Sequence, residues 1–285
     1  MGAFFSILVV SWQAGDRLLS TLKSVVMQSE GDWRVIVKDA GSTDGSVEQA
    51  RKLITDARIR YIVSQDGGIY DGMNQAVDAA FPAEEICEDG QQDGVVLFLN
   101  CGDLLEDADV LKRVRTGIEK ARAQGKRGIY YGDIRDARTG QLVTANPRMD
   151  AFSCYRNVPC HQACFYDASL LMKERFSTAY RVRADYEHFL RCHLGKDVPA
   201  VYLGSVICCY EGGGFSESRA GAAISAKEHR EIARRYFSAG QRFLYRLYLI
   251  VTLQPLRKAL AGGRLTSGVY NRLRSLLQGR KREVS

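Results

Sequence analysis

Apolar residues fall along this chain in two alternating rhythms. Phe4–Val10 is a short run of aromatic and β-branched residues, the pattern of a buried strand. Arg17–Met27 then places Leu18, Leu22, Val25 and Val26 at helical spacing. The alternation repeats: Arg34–Val37, Ile59–Val63 and Val95–Leu99 predict strands, and Ser46–Ile54, Asp71–Phe81 and Asp109–Ala123 predict helices. The polar stretch Glu84–Gly94 predicts a loop. Past residue 128 the rhythm loosens, with strands predicted at Gly128–Ile134, Gln141–Thr144 and Val201–Cys209 and longer irregular connections. Strand–helix alternation with fully apolar strands predicts an α/β fold, a mostly parallel central sheet with helices on both faces. The second half reads as a mixed extension of that sheet.

Charge divides the chain differently. Residues 226–285 hold 14 Lys and Arg against 3 Asp and Glu, while residues 1–225 hold 26 against 30. A mildly acidic body with a basic tail argues against a uniformly basic nucleic-acid binder and for an anionic partner of the tail. Within the tail, Phe237, Leu244, Tyr248 and Val251 recur at helical spacing beside Arg234, Arg235, Arg242 and Arg246. A basic amphipathic helix of this kind fits a membrane surface. The longest late apolar run, Phe243–Leu256, is broken by Arg246 and Pro255 and is too short to span a bilayer. Met1–Trp12 lacks a basic leading region and reads as a strand, not a signal peptide. The expected location is cytoplasmic, peripheral on the inner face of the membrane. The eight cysteines are irregularly spaced, and Cys154, Cys160, His161 and Cys164 fit no common zinc pattern, so they read as small buried thiols.

In open parallel sheets ligands sit beyond the carboxyl ends of the strands. Three such ends here are rich in Asp and Gly: Lys38-Asp39-Ala40-Gly41-Ser42-Thr43-Asp44-Gly45-Ser46, Ser64-Gln65-Asp66-Gly67-Gly68-Ile69-Tyr70-Asp71-Gly72-Met73-Asn74, and Asn100-Cys101-Gly102-Asp103. Each alone can be a turn or helix cap. Together they point to nucleotide binding without a P-loop, since neither GxxxxGK[ST] nor GxGxxG occurs. Carboxylates there can accept from a base or ribose or hold a divalent cation beside a diphosphate.

KDAGSTDGS, QDGGIYDGMNQA and FLNCGD, followed by RADYEHFLR at 183–191 and GGGFS at 212–216, resemble glycosyltransferase family 2, especially bacterial enzymes of exopolysaccharide synthesis. The resemblance implies a GT-A fold, Rossmann-like, over residues 1–225, with a nucleotide-sugar half at 1–103, an acceptor half at 104–225 and a helical tail at 226–285. It implies a donor pocket lined by Asp39, Ser42, Asp44, Asp66, Gly68, Tyr70, Asn74 and Asn100. Asp103 corresponds to the last carboxylate of a metal-binding Asp-x-Asp motif whose earlier positions are Asn100 and Cys101 here, so Mg²⁺ or Mn²⁺ would meet a single carboxylate of that motif.

Asp185 matches the aspartate of the family's acidic motif, with Ala184 where a glutamate precedes it. It is the candidate base that takes a proton from an acceptor hydroxyl during an inverting displacement; the alternative is a plain helix cap. His161, Gln162 and Glu187 are expected on the acceptor side. The implied partners are a nucleotide-diphosphate sugar and a glycan or lipid-linked acceptor. Two other classes stay open: a nucleotidyltransferase, disfavoured because Ser11–Gly15 holds no cation after the first strand, and a non-catalytic binding module, favoured by Asn100 and Cys101 but disfavoured by Asp103 and Asp185.

Overall fold

The structure, a computed structural model, describes residues 4–82, 94–214 and 218–252. The loop expected at Glu84–Gly94 (apart from Gly94), Phe215 and Ser216 of the glycine-rich segment, and the tail beyond residue 252 lie outside the described residues.

The chain runs β1 (Phe5–Ser11), α1 (Asp16–Val26), β2 (Trp33–Asp39), α2 (Ser46–Leu53), β3 (Ile59–Val63), α3 (Ile69–Ala80), β4 (Val95–Asn100), β5 (Leu104–Leu105) and α4 (Val110–Ala123). It continues with β6 (Ile129–Asp136), β7 (Leu142–Val143), α5 (Ala151–Arg156), a 3-10 turn at His161–Ala163, β8 (Cys164–Asp167), α6 (Ala168–Lys173), α7 (Ala184–His193), β9 (Ala200–Tyr210), α8 (Arg219–Tyr236) and α9 (Ala239–Val251). The strands form one sheet in the order β3-β2-β1-β4-β8-β6-β9-β5, with β7 on β6. β1 to β4 are mutually parallel, and β9 is parallel to β6. β8 is antiparallel to both β4 and β6.

The predicted helix periods are the ones that pack. Leu18, Leu22 and Val25 of α1 and Val110, Val114 and Ile118 of α4 join the apolar residues of β1, β2 and β4 in a core sealed from water. Ile7, Leu8, Val95, Val96, Leu97 and Phe98 are all buried, so both faces of the central strands are covered, as continuous apolar runs require. The second half extends this sheet. β8 was not among the predicted strands: four residues, CFYD, directly after a 3-10 turn carry no period of their own. Their strand state comes from pairing on both edges with residues more than 30 positions away. The two-residue β5 escaped prediction for the same reason.

The chain divides into compact units Met1–Ile232 and Ala233–Ser285. The change to basic composition at residue 226 therefore falls inside α8, whose Ser225, Glu228 and Ile232 are buried. In the second unit, α9 opens with a reciprocal Ser238–Gln241 capping box and buries no residue. Phe243, Leu244, Leu247, Ile250 and Val251 are exposed. No helix among the described residues is long and apolar enough to cross a membrane.

Candidate active site

The carboxyl ends of β2 and β3 are built by their own carboxylates. Asp39, the last residue of β2, is fully buried. Its Oδ1 accepts from the amides of Gly41 (2.9 Å) and Ser42 (2.7 Å), and its Oδ2 accepts from the Ser42 hydroxyl at 2.7 Å. Ser42 in turn accepts from the Gln13 amide at 2.8 Å. Asp44 accepts from the Gly15 amide and from the Ser46 amide and hydroxyl, so it fixes the turn into α2 and pins the loop after β1. These hydrogen bonds, the Ser46 hydroxyl foremost, lower its pKa. Asp66 takes the buried Lys38 ammonium at 2.7 Å through Oδ2 and the Gly68 amide at 3.1 Å through Oδ1. Lys38 also donates to the carbonyls of Ser64 and Asp39 and so ties the ends of β2 and β3 together. Gly68 turns the chain into α3 at φ 132°, a conformation that favours glycine. Trp12 stands 69% exposed on the same edge, in the turn whose Gln13 and Gly15 amides these loops hold.

Asn74, expected among the donor-pocket residues, has both ends of its amide on the main chain of Phe176: it donates to the carbonyl at 2.9 Å and accepts from the amide at 3.0 Å. It fixes the segment entering the second half. Tyr70 likewise reaches across the chain. Its hydroxyl lies 2.9 Å from Asp185 Oδ1 and 2.8 Å from the Val182 carbonyl. Burial, with the Asp185 charge adding to it, holds the phenol far above its ordinary pKa, so it stays a donor.

Asp185 lies in the first turn of α7 and is half-buried. One oxygen meets Tyr70; among the described residues Oδ2 has no partner. His161, also half-buried, stands with Nε2 3.4 Å from the Asn100 amide nitrogen. Its Nδ1 and the Asn100 Oδ1 are buried atoms without a hydrogen-bond partner. Burial pulls the His161 pKa down while the Asp185 charge pulls it up.

Two residues expected on the acceptor side have partners within the fold. Gln162 is buried and donates to Asp103 Oδ2 at 3.1 Å while accepting from the Cys160 thiol, so it props the third strand end. Glu187 is 1% exposed and paired with Arg191 one helical turn away, as side chains two positions apart on a helix must diverge.

Asp103 is 3% exposed, and its Oδ1 accepts from the Glu211 amide at 3.0 Å. Burial, reinforced by the Glu211 charge, pushes its carboxyl up to about 6. Glu211 was not singled out by the sequence. Its carboxylate lies against Gly102, where φ is 104° and any Cβ would collide with it. The only signal available was the close pairing of an acidic residue with the glycine-rich 212–216. Among the described residues no three His, Cys, Asp or Glu side chains group around a metal position. Burial pushes the Cys101 and Cys160 thiols up to about 12, which keeps them protonated and unfit as ligands at neutral pH. The oxygens of Asp103, Glu211 and Asn100 do suit a hard divalent cation. The raised Asp103 pKa and the orphaned Asn100 Oδ1 are both what such a cation would relieve.

Comparison with known proteins agrees with this architecture. The family model described as Glycosyl transferase family 2 matches residues 6–175. A PGL/p-HBAD biosynthesis glycosyltransferase of Mycobacterium bovis is 30% identical over 218 residues, 75% of this chain and 79% of the relative. Among solved structures, the mannosyltransferase PcManGT of Pyrobaculum calidifontis, in complex with GDP-Man and Mn²⁺, superposes with a TM-score of 0.62 at 15% identity, covering 97% of this chain and 81% of that one. S. aureus TarS 1–349 in complex with UDP-GlcNAc gives 0.59 at 17%, covering 82% of this chain and 66% of that one, just under two thirds. At such identities the likeness to the solved structures is one of fold, the GT-A arrangement.

Proposed function

The chain belongs to glycosyltransferase family 2, and from that premise we propose that it moves one sugar from a nucleoside-diphosphate sugar to an acceptor hydroxyl with inversion. The observation that carries this reading is Asp185: a half-buried carboxylate with one oxygen oriented by Tyr70 of α3, the helix that follows the Asp66 strand end, and the other without a partner among the described residues.

On the donor side the loop carboxylates shape the pocket more than they fill it. Asp39 has three of its roughly four acceptor positions engaged. The exposed Trp12 ring offers a stacking face for the base. The free amides at the start of α3 suit an anionic diphosphate. Asp103, Glu211 and Asn100 would hold Mg²⁺ or Mn²⁺, which when bound neutralises charge developing on the departing diphosphate. Asp185 Oδ2 takes the acceptor proton as that oxygen attacks the anomeric carbon from the face opposite the diphosphate. Tyr70 keeps the base in one rotamer and stabilises its charged form until the proton arrives. The His161 ring lies within the field of the Asp185 charge.

A lipid-linked glycan at the inner membrane face is the acceptor we favour. The support is the exposed apolar surface of α9 alternating with Arg242 and Arg246, in a segment of strongly basic composition. Each such cation contributes about 1 kcal/mol near an anionic leaflet. The naming of the mycobacterial relatives for PGL/p-HBAD biosynthesis supports a biosynthetic role.

The test is turnover. Purified protein with Mn²⁺, a panel of labelled UDP-, GDP- and dTDP-sugars and lipid-extract acceptor should release the nucleoside diphosphate from one donor. Formation of a nucleoside triphosphate and a sugar 1-phosphate on addition of pyrophosphate would instead identify a nucleotidyltransferase run in reverse, and donor binding without turnover a non-catalytic module.

A further inference from the structure

The start of α7 lacks a local cap: Arg183 occupies the N-cap position and makes no capping hydrogen bond with its side chain. The segment before it nevertheless has its amides satisfied, from 45 residues away. Glu228 of α8 accepts from the Arg181 amide at 2.7 Å through Oε1, and from the Val182 and Arg183 amides at 3.0 and 2.9 Å through Oε2. Three successive N–H groups converging on one carboxylate form an anion nest, and Glu228 is 8% exposed, so little water competes for it. One turn back on the same helix, Ser225 accepts from Arg183 Nε at 2.7 Å. The clamped stretch ends two residues before Asp185, and its Val182 carbonyl lies beside the same Tyr70 hydroxyl that meets Asp185 Oδ1.

We propose that Glu228 is the positioning residue of Asp185: its carboxylate fixes the backbone of 181–183, and that backbone, together with Tyr70, sets where the base stands. This rests on Asp185 being the base. The donor-side turns at 39–46 and 66–68 are built mainly from Asp39, Asp44, Asp66 and Lys38, with no bond to Glu228 among those described. A carboxamide cannot replace the carboxylate, because its NH₂ would face an amide N–H already in need of an acceptor. Loss of the clamp should therefore slow the chemical step and leave donor binding alone. Misplacement of a catalytic group by about 1 Å costs on the order of a hundredfold in rate.

The experiment compares full-length Glu228→Gln with the parent and with Glu231→Gln, which removes the same charge from an exposed site on the same helix. Two readouts are taken: amide hydrogen exchange over 181–190, and kcat beside the affinity for UDP, GDP or dTDP, whichever the parent binds. Expected for Glu228→Gln are faster exchange confined to 181–190, a kcat lower by about ten- to a hundredfold, and unchanged nucleotide affinity, with Glu231→Gln like the parent throughout. Unchanged exchange at 181–190 overturns the clamp. A kcat equal to the parent's despite faster exchange, or nucleotide affinity falling in step with kcat, overturns the positioning role. A parent that turns over no nucleotide-sugar defeats the transferase reading instead, and exchange still decides whether Glu228 holds the segment.

Discussion

The two sides of the candidate site are held together in opposite ways. On the donor side, Asp39, Asp44 and Asp66 bond mainly to residues two or three positions on, and Lys38 supplies the tie between the two strand ends. On the other side, Asp103 is held by Gln162 and Glu211, Asp185 by Tyr70, and the backbone before Asp185 by Glu228, with separations of 45 to 115 residues. The donor side is thus a set of self-built loops that exist before ligand arrives. The catalytic side is assembled by the tertiary fold and keeps its unspent groups there: Asp185 Oδ2, His161 Nδ1 and Asn100 Oδ1. Carboxylates that build loops cost stability when removed; carboxylates left unsatisfied by the fold cost activity.

The strongest way to break the donor side is Lys38→Met. Lys38 is wholly buried and has Asp66 and two carbonyls as partners. Removing it strands a partly buried carboxylate, and the expected loss is about 3–5 kcal/mol in urea denaturation. Preserved stability would show that water reaches Asp66 and that the loops are not prebuilt.

Asp103→Asn tests the opposite claim, that the catalytic side is kept at the expense of stability. The unfolded carboxyl releases its proton near 3.8, whereas the folded one keeps it to about 6. Between these values the folded state binds more protons, so stability falls as pH rises through the window and stays reduced above it. The variant should lose this decline and be flat across the window; its carboxamide NH₂ would face one of the two donors that Asp103 accepts from, which offsets the gain at pH 7 in the absence of metal. Mn²⁺ should raise the melting temperature of the parent and not of the variant. A parent whose stability is flat from pH 4 to 6 contradicts the burial argument.

A smaller effect is expected at Trp12. If the donor base stacks on its exposed ring, Trp12→Ala should weaken donor binding by about 1–2 kcal/mol, seen as a higher KM at unchanged kcat. An unchanged KM would place the base elsewhere on the edge.

How far each side could be read from the sequence follows from the same contrast. The strand ends carrying Asp39, Asp66 and Asp103 were legible because apolar strand runs stop at Asp/Gly clusters, and the helix periods of α1 and α4 are the ones that pack. The individual duties of those residues were less visible. Asp44 also ties the turn into α2, and Asn74 also clamps the Phe176 main chain, duties that the motif pattern does not reveal. Gln162 and Glu187 follow a recognisable motif, yet burial gives them structural partners. Lys38, Glu211 and Glu228 were missed because each acts through a contact set by topology. Glu228 in particular sits in a stretch whose composition is basic, and net charge says nothing of which single carboxylate turns inward. β8 was missed on the same ground, since its strand state comes from its neighbours.

The central claim, that Asp185 is the group that takes the acceptor proton, is tested most directly by Asp185→Asn. Transfer and nucleoside-diphosphate binding would be measured separately on the same preparation. The account predicts a kcat lower by about 10²–10⁴ with nucleotide affinity unchanged, because the donor-loop carboxylates Asp39, Asp44 and Asp66 make no bond to Asp185 among the described residues. Transfer at the parent's rate, or a loss of transfer matched by an equal loss of nucleotide binding, would contradict it.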